Sequence, residues 1–535
     1  MPSKRVAVIG AGASGLTAIK CCLDEGLEPV CYEKTSDIGG LWNFRQSAEE
    51  DVACVMQSTV INTSKEMMSY SDFPIPADSP NFMHHTYIQK YFNLYAKKFN
   101  LRKHIEFNTE VEIIRKAKDF HTTGRWEIKI LSSDTKEEKT EIFDAVFLCT
   151  GHHAKPHMAK FDGEEDFKGK RLHTHYYREY PTEYAGQRAV VVGMGNSGLD
   201  VAVELSRIAS QVYVAARRGA WILNRVADNG LPLDIAYTTR AILAFRKRFI
   251  GLARHIIQKQ LNKRFDHSLY GIRPEHTIDQ QHPTINDDLP NRILNGSICM
   301  RPNIDRITKT GVEFADGTFE EDIDVIFYAT GYTFGFPFLD KDVIDVQDNR
   351  VNLYKYIFPP DLGHPTLAVL GCIQPLGAVM PISEMQARLA TRVFKGDVSL
   401  PSNQQMWDDI NATADTMAKQ YYASQRHTIQ VDYIPYMDEL AAMTGCAPQI
   451  SKLLFSDPKL ACKVYFGPCV PYHYRLHGHG KWDGAKKATE TVWERMEKPL
   501  RTRQGAKSPP ENQMWNIFIY FLLPAVILYL LRYLF

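Results

Sequence analysis

The chain has 535 residues, which is too long for one ordinary hydrophobic core and predicts about two to four domains. Its residues are 44% hydrophobic and 23% charged, which is typical of a globular protein rather than a disordered one. A formal net charge of +1 gives no electrostatic basis for binding nucleic acid. The ten cysteines show no metal-type or redox-type spacing, so we interpret them as reduced thiols of a cytosolic head and expect no metal.

The first chemical motif is a glycine-rich turn close to the start of the chain. An apolar stretch over residues 6–9 predicts a strand, and a helical pattern with an apolar face follows the turn. A second strand over residues 29–32 ends at Glu33, which is placed to accept a hydrogen bond from a ribose hydroxyl. Glycines in such a turn let the backbone approach a pyrophosphate at the positive end of a helix. The turn residues predicted to contact this dinucleotide are Gly10, Ala11, Gly12, Ala13, Ser14 and Gly15.

A second turn of the same form follows an apolar stretch over residues 189–192. A helical pattern and a strand over residues 212–215 come next, and Arg217 and Arg218 then stand where the first unit has an acid. Guanidinium groups suit the 2′-phosphate of NADP because they make paired hydrogen bonds to phosphate, and an exposed surface pair is the alternative. The turn residues predicted at this dinucleotide are Gly193, Gly195, Asn196, Ser197, Gly198, Leu199 and Asp200.

Each turn has a matching strand further along the chain. Residues 144–151 read DAVFLCTG and residues 324–331 read DVIFYATG, and both apolar runs end at a Thr-Gly turn. Buried parallel strands have this composition, and their carboxyl ends border the ligand in a doubly wound sheet. We therefore expect Thr330 and Gly331 at the second dinucleotide, with two nucleotide-binding units that face one another.

The predicted fold class is α/β, with two doubly wound (Rossmann-like) dinucleotide-binding domains, an insertion and a C-terminal transmembrane helix. The first domain is discontinuous, because residues 366–371 supply a strand that returns to it. The expected boundaries are 1–160 and 332–445 for the first domain, 161–331 for the second with its insertion at about 220–295, 446–511 for a membrane-associated region, and 512–535 for a tail anchor.

The last residues favour a membrane anchor. Residues 514–531 contain no charged side chain, and as a helix they would span about 27 Å, close to the thickness of a hydrocarbon core. Basic residues within 498–507 indicate a cytosolic flank, whereas a buried or interfacial terminal helix is the alternative. A basic amphipathic stretch near 240–264 and an apolar stretch over 452–474 are further candidates for contact with a bilayer. A solvated helical face is the alternative for the basic stretch.

Between the two turns stands the pattern Phe167-x-Gly169-x-x-x-His173-x-x-x-Tyr177. Together with Ile38-Gly-Gly-Leu-Trp42, Asn62-Thr-Ser-Lys-Glu66 and Ala329-Thr-Gly-Tyr332, it resembles the class B flavoprotein monooxygenases. Tyr at the last position of the pattern favours the vertebrate-type flavin-containing monooxygenases, and the resemblance covers essentially the whole chain.

This resemblance implies FAD and NADPH as cofactors, O2 as co-substrate and a C4a-hydroperoxyflavin that oxygenates a soft nitrogen or sulfur of a small xenobiotic-type molecule. Baeyer–Villiger oxygenation of ketones and release of hydrogen peroxide by an NADPH oxidase are the alternatives. It also implies attachment to the endoplasmic reticulum membrane with the catalytic head in the cytosol. No nucleic acid is expected as a partner, and a homo-oligomer is left open.

The resemblance further assigns residues to the flavin region. Asn62 is expected beside the flavin and NADP, where its uncharged amide donates a hydrogen bond, and an Asn that closes a turn is the alternative. Arg225 and His282 complete the expected catalytic set, although Arg225 could be structural and His282 could be a solvated loop side chain. The other residues expected to contact the cofactor are Gly40, Leu41, Trp42, Ile61, Thr63 and Gln374, and a structural role is the alternative for Gln374.

Overall fold

Two parallel sheets of five strands organise the protein, whose computed structural model describes residues 3–179, 182–421 and 428–503. Each central strand is buried on both faces, which is why the sequence reads as continuous apolar runs there. The strands of these sheets are β1 (Arg5–Ile9), β2 (Glu28–Tyr32), β3 (Ile105–Glu106), β4 (Ala145–Leu148), β5 (Lys170–His173), β6 (Arg188–Val192), β7 (Gln211–Ala215), β8 (Ile298–Arg301), β9 (Val325–Tyr328) and β10 (Leu367–Val369).

The first sheet has the strand order β10-β4-β1-β2-β3, and the second has the order β8-β7-β6-β9-β5. In both sheets the strand before the glycine-rich turn, β1 or β6, lies at the centre and pairs in parallel with the apolar strand that ends at Thr-Gly. Strand β10 pairs in parallel with β4, so the chain returns to the first sheet after it has completed the second. The expected mixed α/β fold is confirmed.

Helices cover these sheets and form the C-terminal part of the described chain. They are α1 (Ala13–Asp24), α2 (Lys65–Met68), α3 (His85–Lys98), α4 (Phe120–Thr123), α5 (Asn196–Leu205), α6 (Leu233–Tyr237), α7 (Arg240–Arg248), α8 (Ile250–Arg264), α9 (Leu289–Leu294), α10 (Val379–Lys395), α11 (Asn403–Gln420), α12 (Tyr433–Thr444), α13 (Ile450–Ser456), α14 (Pro458–Phe466), α15 (Ala485–Glu490) and α16 (Val492–Glu497).

Smaller strands connect the main elements. Two antiparallel three-stranded sheets comprise Thr109–Lys116, Trp126–Ser132 and Glu138–Phe143, and Ile304–Ile307, Val312–Phe314 and Phe319–Glu320. Two-stranded pairs join Lys155–Pro156 to Tyr332–Thr333, Ile222–Leu223 to Thr284–Ile285, Val346–Gln347 to Arg350–Val351, and Gln374–Leu376 to Gln430–Asp432. The first of these pairs stands where the chain leaves the first sheet and returns to it.

Close backbone packing explains the last glycine of each turn. A Cβ atom on Gly15 would lie 1.8 Å from the carbonyl oxygen of Gly10, and a Cβ atom on Gly198 would lie 2.3 Å from that of Gly193. Helices α1 and α5 can therefore press directly on the turns that precede them only because these positions carry no side chain. Gly195 differs, because a Cβ atom there meets nothing within 4 Å.

A buried network of charges joins the C-terminal helices to the first sheet. The Arg475 guanidinium pairs with Glu384 on α10 at 2.7 Å and with Asp72 at 3.2 Å, and Asp72 also pairs with Lys20 on α1 at 2.5 Å. The Glu384 carboxylate in turn accepts hydrogen bonds from the backbone N–H and the hydroxyl of Ser71. Each charge is thus matched, as burial requires.

Within the described ranges, no helix combines the length and the apolar composition needed to cross a membrane. The expected tail anchor over residues 514–531 lies outside the described residues.

We predict that Gly198→Ala and Gly195→Ala differ sharply in stability. The added methyl group of Gly198→Ala meets a backbone oxygen that cannot move aside, so the free energy of unfolding should fall by at least about 2 kcal/mol. Gly195→Ala adds the same atoms in open space and should unfold at the wild-type urea concentration. Equal midpoints for the two variants, measured by circular dichroism, would contradict the packing argument.

Candidate functional site

The first glycine-rich turn is fixed by the acid at the end of β2. The backbone N–H of Ala11 donates to Glu33 Oε2 at 2.7 Å, and the backbone and hydroxyl of Thr35 donate to Oε1 at 2.9 and 2.7 Å. Glu33 is buried, with 6% of its surface exposed. The acid expected at the ribose is therefore held against the turn, at the carboxyl edge of the sheet.

A second glycine-rich segment lies across this turn. The backbone N–H of Gly39 donates to the Ala11 carbonyl at 3.0 Å, and a Cβ atom on Gly40 would lie only 3.1 Å from Cα of Gly12. Gly39 and Gly40 both have positive φ, so this approach needs glycine twice. Leu41 and Trp42 follow in a 3₁₀ turn and are half-buried next to the first glycine-rich turn.

The start of helix α1 is covered from two other sides. The Ser14 hydroxyl lies 3.0 Å from that of Ser383 on α10, and the Tyr70 hydroxyl donates to the Ala13 carbonyl at 2.7 Å. Residues expected to bind one dinucleotide thus meet segments from distant parts of the chain. A cradle made of closely approaching glycines, backbone N–H groups and a ribose-binding acid fits FAD.

The second glycine-rich turn is in contact with part of the insertion. The Thr284 hydroxyl donates to the Met194 carbonyl at 2.7 Å, and the backbone N–H of Ile285 donates to Asn196 Oδ1 at 2.8 Å. We name residues 284–287 the strap. Its Asn286 amide donates to Asp200 at 3.3 Å, and burial raises the pKa of Asp200 to about 6. The side chains of Asn196 and Asp200, which are expected at the dinucleotide, therefore also form hydrogen bonds with the strap.

The other residues expected at this dinucleotide lie along the same edge of the second sheet. Arg217 and Arg218 follow β7 and are exposed, and Ser197 is exposed at the start of α5. The Thr330 hydroxyl donates to the His157 carbonyl, and the His157 backbone N–H donates to Gly331 at 2.9 Å. The accessible arginines and the open position beside Gly195 fit a nucleotide that carries an additional phosphate.

Asn62 lies in a segment that is in contact with the insertion. The neighbouring Ile61 backbone N–H donates to Met83 at 2.9 Å, and Ser64 donates its backbone N–H to Asp234 on α6 at 2.7 Å. Asn62 and Thr63 are half-buried. In the described part of the chain, Asn62 Oδ1 is buried and has no hydrogen-bond partner. Buried polar atoms normally have a hydrogen-bond partner, and a donor group on a bound cofactor would provide one for this acceptor.

The Arg225 side chain contacts the backbone of this segment. Its guanidinium donates to the Val60 carbonyl at 3.3 Å and pairs with Asp287 of the strap at 2.7 Å. The Arg225 backbone N–H also donates to Asp287, at 3.0 Å. Arg225 thus links the strap to the Asn62 segment. The Val60 carbonyl that it contacts lies two residues from Asn62 along the chain.

His282 is half-buried, whereas the alternative interpretation of the sequence was a solvated loop side chain. Its Nδ1 lies 3.2 Å from the amide nitrogen of Gln430, and Gln430 pairs in parallel with Gln374. Burial lowers the pKa of His282 to about 4, so the ring is neutral near pH 7. The insertion therefore brings His282 to the strand pair that carries Gln374.

His173, the histidine of the pattern between the two turns, lies where the chain passes between the sheets. His173 ends β5 and is buried, and its ring lies 5.2 Å from that of Tyr332, which is 5.3 Å from His153. Burial lowers the pKa of His173 and of His153 to about 4. Among the described residues, no group of three or more His, Cys, Asp or Glu side chains could hold a metal ion.

The sequence patterns did not identify Asp234, Asp287 or Gln430. One signal was available for Asp287, because Asn286-Asp-Asp288 is a polar run directly before Leu289-Pro290, which starts a helix. Asp234 and Gln430 have no such local signature, because their partners are distant in the sequence.

Comparison with known proteins identifies the relatives of this arrangement. The flavin-binding monooxygenase-like family matches residues 3–534. Flavin-containing monooxygenase 5 of Oryctolagus cuniculus is 51% identical, with 97% of each chain covered. Flavin-containing monooxygenase 2 of Homo sapiens is 47% identical, with 94% of each chain covered.

Solved structures share the fold. S-allyl-L-cysteine S-oxygenase from Allium sativum is 23% identical, with a TM-score of 0.64 over 93% of this chain and 99% of that one. Cyclohexanone monooxygenase from Rhodococcus sp. Phi1, bound to NADP+, is 16% identical, with a TM-score of 0.58 over 83% and 97%. The sequence matches span the two turns, the insertion and the residues around Asn62. The chain belongs to the flavin-containing monooxygenase family and is an NADPH-dependent flavoprotein that uses FAD.

Proposed function

We propose that this protein uses NADPH and O2 to oxygenate soft nucleophilic nitrogen or sulfur atoms of small xenobiotic-type molecules. One observation carries the proposal: the Asn62 segment of the first unit is in contact with the insertion, and the insertion lies on the second glycine-rich turn. An arrangement of this kind is what hydride transfer from one dinucleotide to the other, followed by oxygenation beside them, requires.

The reaction balances as NADPH, H+, O2 and substrate giving NADP+, water and the substrate oxide. Bound flavin supplies the redox chemistry, because it accepts a hydride and activates O2. We propose that the first glycine-rich turn, Glu33 and the Gly40–Trp42 segment bind FAD, with Ile61, Thr63 and Gln374 near the ring. The second turn, Thr330, Gly331 and the pair Arg217 and Arg218 bind NADPH.

Asn62 is proposed to donate its amide N–H to the oxygen that is transferred. An amide cannot release a proton at neutral pH, so it can stabilise developing negative charge without promoting loss of peroxide. In the described residues, Asn62 Oδ1 is an unpartnered acceptor, so a bound group that donates a hydrogen bond would satisfy it while the amide N–H remains available to donate.

Oxygen insertion into ketones is the second candidate function. His282 supports it, because a neutral, half-buried imidazole beside Gln430 and Gln374 can hydrogen-bond a carbonyl oxygen. Ketone turnover that is lost in His282→Ala, while sulfide turnover continues, would support this assignment.

We also propose that the protein is attached to the endoplasmic reticulum membrane with its catalytic head in the cytosol. The residues 514–531 would provide the anchor. We further retain the domain boundaries at about residues 160, 331 and 445, since the chain crosses between the sheets near the first two.

A surface of the head could add to this attachment. We name as the apolar surface the exposed side chains on α7, α8, α13 and α14. Phe455 is 89% exposed and Leu454 54%, and Ile250 and Leu252 are each 53% exposed. Contacts between α7 and α14 bring the two helix pairs together. Basic side chains of the same helices flank the surface, namely Arg246, Lys247, Arg248, Lys452 and Lys459. Exposed apolar side chains with a basic rim suit the surface of an anionic bilayer.

We predict that Asn62→Asp retains FAD but separates NADPH oxidation from oxygenation, because a carboxylate repels negative charge that develops beside it. Each NADPH would then yield hydrogen peroxide instead of sulfoxide from a thioether. The measurement is the ratio of product to NADPH, and exposed Asn295→Asp is the control for the charge change. An unchanged ratio in Asn62→Asp would remove Asn62 from the oxygenation site.

We predict that replacing Arg217 and Arg218 together by Ala weakens NADPH binding without weakening NADH binding. Charged hydrogen bonds are worth about 1.5–3 kcal/mol, so the preference for NADPH should fall at least about tenfold. Dissociation constants from flavin reduction kinetics measure this, with exposed Arg306→Ala as the control. Equal weakening of both nucleotides would show that the two arginines do not bind the phosphate.

We predict that deletion of residues 514–535 releases only part of the protein from membranes, and that salt releases most of the remainder. Adding Leu252→Ser and Phe455→Ser should release the truncated protein without salt, because the apolar surface is lost. Leu294→Ser, 73% exposed on α9, is the matched control. Sedimentation with anionic vesicles measures binding. Equal binding of the truncated proteins with Leu252→Ser and Phe455→Ser and with Leu294→Ser would show that the apolar surface does not contact the membrane.

A further inference from the structure

The segment of residues 60–64 is held at both ends by side chains of the insertion. At one end, the Arg225 guanidinium donates to the Val60 carbonyl at 3.3 Å. At the other end, Asp234 Oδ2 accepts the backbone N–H of Ser64 at 2.7 Å. Asn62 lies midway between these contacts. A five-residue segment fixed at both ends leaves its central residue little freedom to move.

Each of these side chains is itself fixed by further contacts. Asp287 of the strap pairs with the Arg225 guanidinium at 2.7 Å and accepts its backbone N–H at 3.0 Å. Asp234 Oδ1 accepts the backbone N–H of Ile235 at 2.9 Å, which ties the carboxylate to the start of α6. The Leu233 backbone N–H donates to the Arg225 carbonyl at 2.8 Å, so the two holding groups belong to one unit of the insertion.

Burial and charge agree with a holding role. The Arg225 side chain is 15% exposed and that of Asp287 is 35% exposed. Burial raises the pKa of Asp234 to about 6, so the carboxylate remains mainly ionised near pH 7 and can accept the Ser64 N–H as a charged acceptor. The charge of Arg225 is offset by Asp287, with which it pairs, so the ionised Asp234 is the remaining charge of this group of three side chains.

We propose that Asp287 and Asp234 are positioning residues, which act on oxygenation by holding Asn62 in place through Arg225 and Ser64. The inference rests on the proposed function, because it takes Asn62 as the group that donates to the transferred oxygen. Neither carboxylate is among the groups proposed above to bind FAD or NADPH.

The test compares four single variants of the full-length protein with bound FAD. Asp234→Ala and Asp287→Ala remove the holding carboxylates, and each should raise the hydrogen peroxide formed per NADPH at least fivefold. Asp234→Asn should keep the wild-type ratio of hydrogen peroxide to NADPH, because its amide oxygen still accepts the Ser64 N–H. Asp279→Ala is the matched control, because Asp279 is an insertion carboxylate paired with Arg254 at 2.7 Å and has no contact with residues 60–64.

Two readouts separate positioning from general loss of structure. The FAD content and the rate of flavin reduction by NADPH should stay within twofold of the wild type in all four variants. In the Asn62→Asp background, Asp234→Ala should add no further peroxide, because its effect passes through Asn62. Additive effects of the two changes would overturn the inference.

The outcomes also separate this inference from the proposed function. If the wild type forms the sulfoxide and Asn62→Asp uncouples it, while Asp234→Ala and Asp287→Ala remain coupled, only the inference fails. If Asn62→Asp changes nothing, the proposed role of Asn62 fails first. Should an alanine variant not fold, Asp234→Asn and a fifth variant, Asp287→Asn, decide. Asp287→Asn removes the negative charge that pairs with the Arg225 guanidinium and must uncouple, whereas Asp234→Asn must not.

Discussion

The rest of the structure depends on the close approach of a helix to the turn before it, which occurs once in each sheet. Gly15 lies against the Gly10 carbonyl, and Gly198 lies against that of Gly193, at distances that exclude any side chain. This packing directs the first N–H groups of α1 and α5 to the carboxyl edge of their sheets, where an anionic ligand gains most from them. The strap lies on the second of these turns.

The buried charge network extends this constraint to the C-terminal helices. Ser383 and Glu384 are neighbours on α10, and one meets Ser14 beside the first turn while the other pairs with Arg475. A buried ion pair is weak evidence for stability, because desolvation offsets much of its attraction. Its directional hydrogen bonds nevertheless favour one position for α10, because Glu384 accepts from both Arg475 and Ser71 and a shift of α10 would break these contacts together. The C-terminal helices therefore help to position the first nucleotide site.

Sequence patterns were sufficient to predict the strands and turns, because the interactions that determine these elements are local. The strand expected at 29–32 runs over Glu28–Tyr32, and that expected at 212–215 runs over Gln211–Ala215, because glycine spacing and apolar runs are read within a few residues. The contacts around Asn62 could not be read in this way. Ser64 is 170 residues from Asp234, and Arg225 is 62 residues from Asp287, so only the folded insertion brings them together. The role of Asn62 itself came from the family resemblance.

The division of labour between the sheets and the insertion has a physical reason. Nucleotide phosphates are bound by backbone N–H groups, which the two turns supply without large side chains. Oxygenation needs a neutral donor held at a fixed distance and shielded from water, and a turn of glycines cannot provide this. In the proposed mechanism Asn62 is that donor, and the insertion holds it with Arg225 and Asp234, whose charged hydrogen bonds reach the backbone on either side of it. Because the strap also contacts Asn196 and Asp200, the insertion is in contact with both the second glycine-rich turn and the segment proposed to carry out oxygenation.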